Sequence, residues 1–192
     1  MPADATASPI FDVDGDGRAD REWIATVGQA TAFGVTTASG ATFSYSVTSA
    51  SPIARIGFVA RLTSSRLISM LTDGREAYLH VFANCSFVQP VSSDGKTFTF
   101  DLQNLRGNGT GVGCVAADDG ADLVGYQATS VNGVTTVRQT IIKLDAAGTG
   151  ASNGAVSTVA TEASPNSPIA IAANSVSCGS VSGASGGVTL AQ

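Results

Sequence analysis

At 192 residues, the chain suits one domain or a tight pair of sub-domains and is long enough to bury a real core. Only 13% of residues are charged, against roughly 25% in ordinary soluble proteins, while 43% are apolar and Gly numbers 22; this excludes disorder and favours short strands over helices. A net charge of −5, with ten Lys and Arg that never cluster, argues against a nucleic-acid partner, and no apolar run nears the roughly 20 residues of a membrane span.

Residues 1–8 read as a flexible lead-in. Met1 ahead of Pro-Ala-Asp-Ala-Thr-Ala-Ser-Pro reads as an added start on a processed N-terminus, which favours a secreted or cell-surface protein. An Asp-rich loop follows, then residues 21–27 with Trp23, Ile24 and Val27. Strands are predicted at 31–37 and 42–47, with Ala38-Ser39-Gly40 as the hairpin turn between them. In the second of these, Phe43, Tyr45 and Val47 share one face and Thr and Ser the other, the period-two pattern of a half-buried strand. Segments 53–62 and 66–71 come next. Thr72-Asp73-Gly74 turns the chain into 77–83, which 85–88 extends, and Ser93-Asp94-Gly95 turns it into 97–102, where Phe98, Phe100 and Leu102 alternate. Segments 112–115 and 123–128 flank a second Asp patch. A long β-branched run at 134–144, then 155–160 and 169–173, complete the strands, with 148–154 as a flexible loop tip. No 3.6-residue apolar stripe emerges. The expected fold is all-β, with short antiparallel strands in propeller-blade-like or small sandwich or barrel units. Residues 9–178 form the β domain, in about three such units, and 179–192 a flexible Gly/Ser tail.

The chemistry is concentrated in Asp12-Val-Asp14-Gly-Asp16-Gly17-Arg18-Ala-Asp20, with carboxylates at positions 1, 3, 5 and 9 and glycine at 6. Calcium takes six to eight oxygens at about 2.3–2.6 Å. Alternate Asp residues let a short loop curl around such an ion, Gly17 permits the bend, and the Arg18 carbonyl can enter at position 7. Four carboxylates this close repel one another without a cation. A helix-loop-helix calcium site needs Glu at position 12, which here is Trp23, with strand-like flanks. The loop resembles instead the Asp-rich calcium loops of FG-GAP or VCBS-type repeats, the β-propeller units of integrin-like and bacterial surface proteins. That resemblance implies a loop linking two strands of a blade, with its last Asp preceding a buried strand. Ala117-Asp118-Asp119-Gly120-Ala121-Asp122-Leu123-Val124-Gly125-Tyr126 resembles the end of the same repeat, but its first two ligand positions are Cys114 and Ala116, so it is expected to be a decayed, weaker site. A closed propeller needs at least about four blades, so a propeller fragment, a small β domain and part of an assembly all stay open.

Other constellations are thin. Cys85 and Cys114 are expected to form a disulfide, with Cys178 left over; three buried free thiols are the other reading. His80 is the sole histidine, on the strand face opposite Leu79 and Val81, and reads as an exposed or satisfied strand residue. Glu22, Glu76 and Glu162 are scattered and mark no glycosidase pair. Asn84-Cys-Ser86 and Asn108-Gly-Thr110 match the glycosylation triplet by composition alone.

Two function classes follow. One is a secreted or cell-surface binding or structural module, stabilised by calcium and engaged in adhesion or in recognition of an extracellular protein or glycan. The other is an extracellular polysaccharide-active hydrolase or lyase with a structural calcium. A cleft lined by convergent ionisable groups with displaced pKa values separates them, and one His with few Glu favours the first.

Overall fold

The computed structural model describes residues 1–102 and 109–190. The chain opens as an antiparallel meander of β1 (Thr6–Ile10), β2 (Asp20–Val27), β3 (Ala30–Thr36) and β4 (Thr42–Val47), which forms the first sheet. The β3–β4 turn falls at the predicted residues, with Gly40 at φ 101°, a left-handed conformation that glycine adopts without cost. β5 (Arg55–Thr63), β6 (Arg66–Thr72), β7 (Glu76–Ala83) and β8 (Ser86–Val88) build the central sheet, with β9 (Thr99–Asp101) also paired to β7. β10 (Gly109–Ala117), β11 (Gly120–Val131), β12 (Val134–Leu144) and β13 (Ala151–Ala163) form a second four-stranded meander. A short helix α1 (Pro168–Ala172) follows, then the small hairpin of β14 (Ser177–Cys178) and β15 (Val181–Ser182). Last comes β16 (Val188–Leu190), which returns to pair with β5. The all-β class holds.

The central sheet is buried on both faces, which explains why its strands read as nearly continuous apolar runs instead of alternating ones. Phe58, Met70 and Leu79 lie in register across β5, β6 and β7, as do Ala60, Ile68 and Val81. These six pack with Val112, Leu123 and Ile142 of the third sheet. On the opposite face, Val59 and Leu71 join Ile24, Phe33 and Val35 of the first sheet. Fully burying a side chain of this size contributes roughly 1.5–3 kcal/mol, so the two interfaces hold the layers together. Between the first and central sheets, Tyr45 stacks on His80 with ring centroids 3.5 Å apart, and Ser69 Oγ donates to Tyr45 Oη at 3.1 Å. His80 is thus buried, not exposed.

Several expectations are corrected. The expected strand at 169–173 is α1. Ser167 caps it by accepting from the Ala170 N–H, Pro168 sits in the first turn, and three of the five helical residues are Pro or Ala, which suit a helix start better than a strand. The lead-in 1–8 is partly strand, because β1 pairs residue for residue with β2 from Thr6↔Ile24 to Ile10↔Asp20. The tail 179–192 carries β15 and β16, and Val188 is 2% exposed in the core between the first two sheets. Residues 191 and 192, and Asn108 of the second glycosylation triplet, lie outside the described residues. In the expected loop tip 148–154, only the first part is turn: Asp145 binds the Thr149 N–H and hydroxyl, and β13 starts at Ala151.

The disulfide is Cys114–Cys178, not Cys85–Cys114. Ala83↔Ser86 pairing leaves Asn84 and Cys85 as a two-residue hairpin tip, both at positive φ, as tight hairpin turns require. That places Cys85, exposed and free, at the end of the β7–β8 hairpin. Cys114 lies within β10, and the Val112 N–H donates to Ser175 O, which draws the following strand β14 alongside and sets the two Cα atoms 4.6 Å apart.

Candidate metal centre

The loop between β1 and β2 is shaped by its own carboxylates. Asp12 accepts from the Gly15 N–H at 2.6 Å and from the Gly17 N–H at 2.7 Å, one with each carboxylate oxygen. Both glycines have φ 82° and open space where a Cβ would stand, so their role is conformational freedom and not close packing. Asp14 Oδ1 accepts from the Asp16 N–H at 3.3 Å. Asp20 opens β2 and is 1% exposed. Its two oxygens accept from the Val13 N–H at 2.6 Å and the Ala38 N–H at 2.8 Å, tying the loop to the β3–β4 turn.

Of the residues expected as ligands, Asp12, Asp14 and Asp20 come together: each offers a carboxylate oxygen, and these lie within 4.8 Å of one another. Two oxygens on opposite sides of one calcium ion are about 4.6–5.2 Å apart, so the grouping fits a single ion of that size. An all-oxygen, carboxylate-rich donor set suits a hard cation. Asp16 stands outside the group. The Arg18 guanidinium donates to Asp16 Oδ2 from Nε at 3.0 Å and from Nη2 at 2.7 Å, turning that carboxylate to its own neighbour.

The structure adds participants that the sequence pattern did not show. Ser39 Oγ donates to Asp14 Oδ2 at 2.6 Å, and this bond is the largest cause holding the Asp14 carboxyl below its ordinary value. Thr37 adds to that shift. Arg61 of β5 lies 4.6 Å over the Phe11 ring and donates from Nη2 to Asp12 O at 2.9 Å, bracing the loop from the central sheet. A meander places its first and third turns at the same end of the sheet. That rule, applied to the predicted strands 21–27, 31–37 and 42–47, was the available signal for Ser39.

The second Asp patch is a tight β10–β11 turn and not a second cluster: among the described residues, Asp118, Asp119 and Asp122 belong to no metal-ready group. Gly120, at φ 144°, sits where a Cβ would fall 2.1 Å from Leu62 O, so the turn is pressed onto the end of β5. Leu123 and Val124 behind it are buried. Both Asp-rich turns therefore flank the β5–β6 hairpin, one through Arg61 and the other through Leu62. A cleft of about 510 Å³ beside the second patch is lined by Asp119, Asp122, Arg66 and Lys143.

Of the ionisable groups most displaced from their ordinary pKa, Glu22 and His80 are buried, while Tyr45 and Tyr78 are half-buried, Tyr78 being raised by burial and by Asp73 beside it. Burial pushes Glu22 up to about 8, opposed by its bond from the Val59 N–H at 2.7 Å. Burial lowers His80 to about 4 and raises Tyr45. Glu22 Oε1 and His80 Nδ1 have no hydrogen-bond partner. Glu76 lies in β7 and Glu162 in β13, so neither joins Glu22 on its strand. Comparison with known protein families, curated proteins and solved structures found no match to the chain.

Proposed function

We propose that the chain is a secreted or cell-surface module that binds one calcium ion at Asp12, Asp14 and Asp20, and that calcium stabilises it for binding or structural work such as adhesion or recognition of a protein or glycan. In this reading Asp16 and the Arg18 carbonyl complete the ligand set. The observation that carries it is the convergence of three carboxylates, one of them fully buried at the start of β2, on a spacing that fits a single calcium ion. The Cys114–Cys178 disulfide is compatible with an oxidising, extracellular setting. Among the described residues, no helix is long and apolar enough to cross a membrane. The FG-GAP and VCBS resemblance supports the same reading through the loop alone. Glu22 and His80 lie between sheets, out of reach of a polysaccharide.

Calcium would act by joining the β1–β2 loop to the β3–β4 turn that Asp14 and Asp20 already touch. Ligand at about 100 times Kd adds about 2.7 kcal/mol to a state that alone binds it. For a domain of this size each kcal/mol shifts Tm by roughly 2–4 °C. Melting in millimolar calcium should therefore exceed melting in EDTA by roughly 5–10 °C, and Asp14→Ala should erase the difference. Equal melting temperatures would remove the ion from the account.

A further inference from the structure

The last described strand is held lightly in a deep place. β16 pairs with β5 through three residue pairs, Val188↔Gly57, Thr189↔Ile56 and Leu190↔Arg55. It also touches β1 and β2, so it closes the seam between the first and central sheets. Val188 and Leu190 fill the core of that seam. Further along β5 the next free N–H, that of Val59, is taken by the Glu22 carboxylate, so the slot for an added strand is short and fixed in register.

The segment leading to β16 is built differently. Cys178 is pinned to β10 by the disulfide and pairs with Val181, which packs against the main core and keeps the β14–β15 hairpin in place; beyond that hairpin run Gly183, Ala184, Ser185, Gly186 and Gly187. The turn is closed by a reciprocal backbone pair between Ser182 and Ser185 and by Thr189 Oγ1 donating to Gly183 O. Fully extended, the five residues from 183 to 187 reach about 17 Å, enough to carry β16 into a second molecule packed against this edge.

We propose that β16 is an exchangeable strand, and that the slot between β2 and β5 accepts β16 from a second copy of this chain. The pairing of β16 with β5 and its packing in the seam are the same in cis and in trans, so exchange alters the turn at 182–187, with its contacts to Thr189 and Ile56, and the association entropy. The turn hydrogen bonds, to which the Ala184 N–H donating to Ser182 Oγ adds a fourth, favour the closed monomer, which makes the exchanged dimer a minor, concentration-dependent form. Gly183 is the lever on that balance: a Cβ there would fall 1.9 Å from Ile56 Cγ2, so Gly183→Ala strains the closed turn and leaves the strand itself untouched.

The test uses full-length chains carrying Cys85→Ser, which removes the exposed free thiol. A double variant, Ile56→Cys with Thr189→Cys, should form an intrachain disulfide and run as a monomer on a non-reducing gel. An equimolar mixture of the two single variants should yield a covalent heterodimer. Its fraction should rise at least about tenfold between roughly 10 µM and 1 mM, as mass action requires of a minor dimer. Adding Gly183→Ala should raise it further. The proposal is overturned if the double variant closes within the chain while the mixture gives no more heterodimer than Thr189→Cys mixed with a collision control, Ser93→Cys on the exposed surface. It is equally overturned if the double variant fails to close, since the register itself would then be wrong.

Discussion

Replacing both Cys114 and Cys178 by Ala removes a cross-link between residues 64 apart in sequence. In the chain-entropy treatment, a closed loop of about 64 residues costs the unfolded state about 14 cal/mol/K, which is about 4 kcal/mol at 25 °C. At roughly 2–4 °C per kcal/mol for a domain of this length, Tm should fall by about 8–17 °C. Cys178 is 8% exposed and packs in the main core, so lost contacts add to the entropic term. Cys85→Ser, at an exposed hairpin tip, should leave Tm within about 2 °C, because surface changes away from special features stay within about 0.5 kcal/mol. Differential scanning calorimetry of the three proteins, beside a thiol count in denaturant without reductant, measures both claims. One reactive thiol per chain is expected. Three reactive thiols, or a Cys85→Ser variant that melts lower than the double variant, would refute the pairing and the reasoning built on it.

Burial holds Glu22 protonated up to about pH 8 against an ordinary 4.5, so the folded state keeps a proton the unfolded state releases, and stability should fall as pH rises through that window. Burial holds His80 neutral down to about pH 4 against an ordinary 6.5, so stability should fall as pH drops from 6.5 to 4. Each slope is at most about 1.4 kcal/mol per pH unit; denaturant melts in EDTA should show Glu22→Gln flattening the alkaline limb and His80→Phe the acid limb, and retention of either limb in its variant contradicts the assignment. Gly34→Ala would place a Cβ 2.5 Å from Phe43 O and 2.6 Å from Trp23 Cζ2, an overpacking expected to cost about 1–3 kcal/mol, read as a lower denaturant midpoint. Arg18→Ala should remove the guanidinium that competes with calcium for Asp16 and raise affinity by about two- to fivefold at low salt, the gain shrinking as salt rises; unchanged affinity would show that the ion pair does not compete with the metal.

Much of the architecture was legible because strand and turn signals agreed. Phe43-Ser-Tyr45-Ser-Val47 alternates cleanly, and its outer face of Thr42, Ser44 and Ser46 is exposed as that pattern requires. The runs in β5 and β6 gave strands but not their layer, since only the assembled fold shows that a second sheet covers each face. The segment 169–173 misled because Ile169 and Ile171 look strand-like, whereas the Ser167-Pro168 start decides in favour of a helical turn. Gly and Ser content made 179–192 look free, yet Val188 and Leu190 are enough to seat a strand in a prepared seam. The grouping of Asp12, Asp14 and Asp20 was legible from their spacing, because a loop of alternating Asp and Gly folds on local hydrogen bonds. Ser39 reaches it from 25 residues away and was legible only through the predicted meander, while Arg61 reaches it from 49 residues away, a distance that sequence spacing does not encode. The cysteine pairing failed for the same reason: chain separation favoured Cys85, and the lie of β14 along β10 decided for Cys178.

The central claim is a single calcium site made by the β1–β2 loop, and calorimetric titration of the chelator-stripped protein with calcium tests it most directly. One site per chain is expected. Binding should be lost in Asp14→Ala and in Asp20→Asn, and preserved in Asp119→Asn and Asp122→Asn, whose turn brings no metal-ready group together. Absence of binding, two sites of equal affinity, or binding that survives Asp14→Ala and follows the Asp119 and Asp122 variants instead would contradict the account.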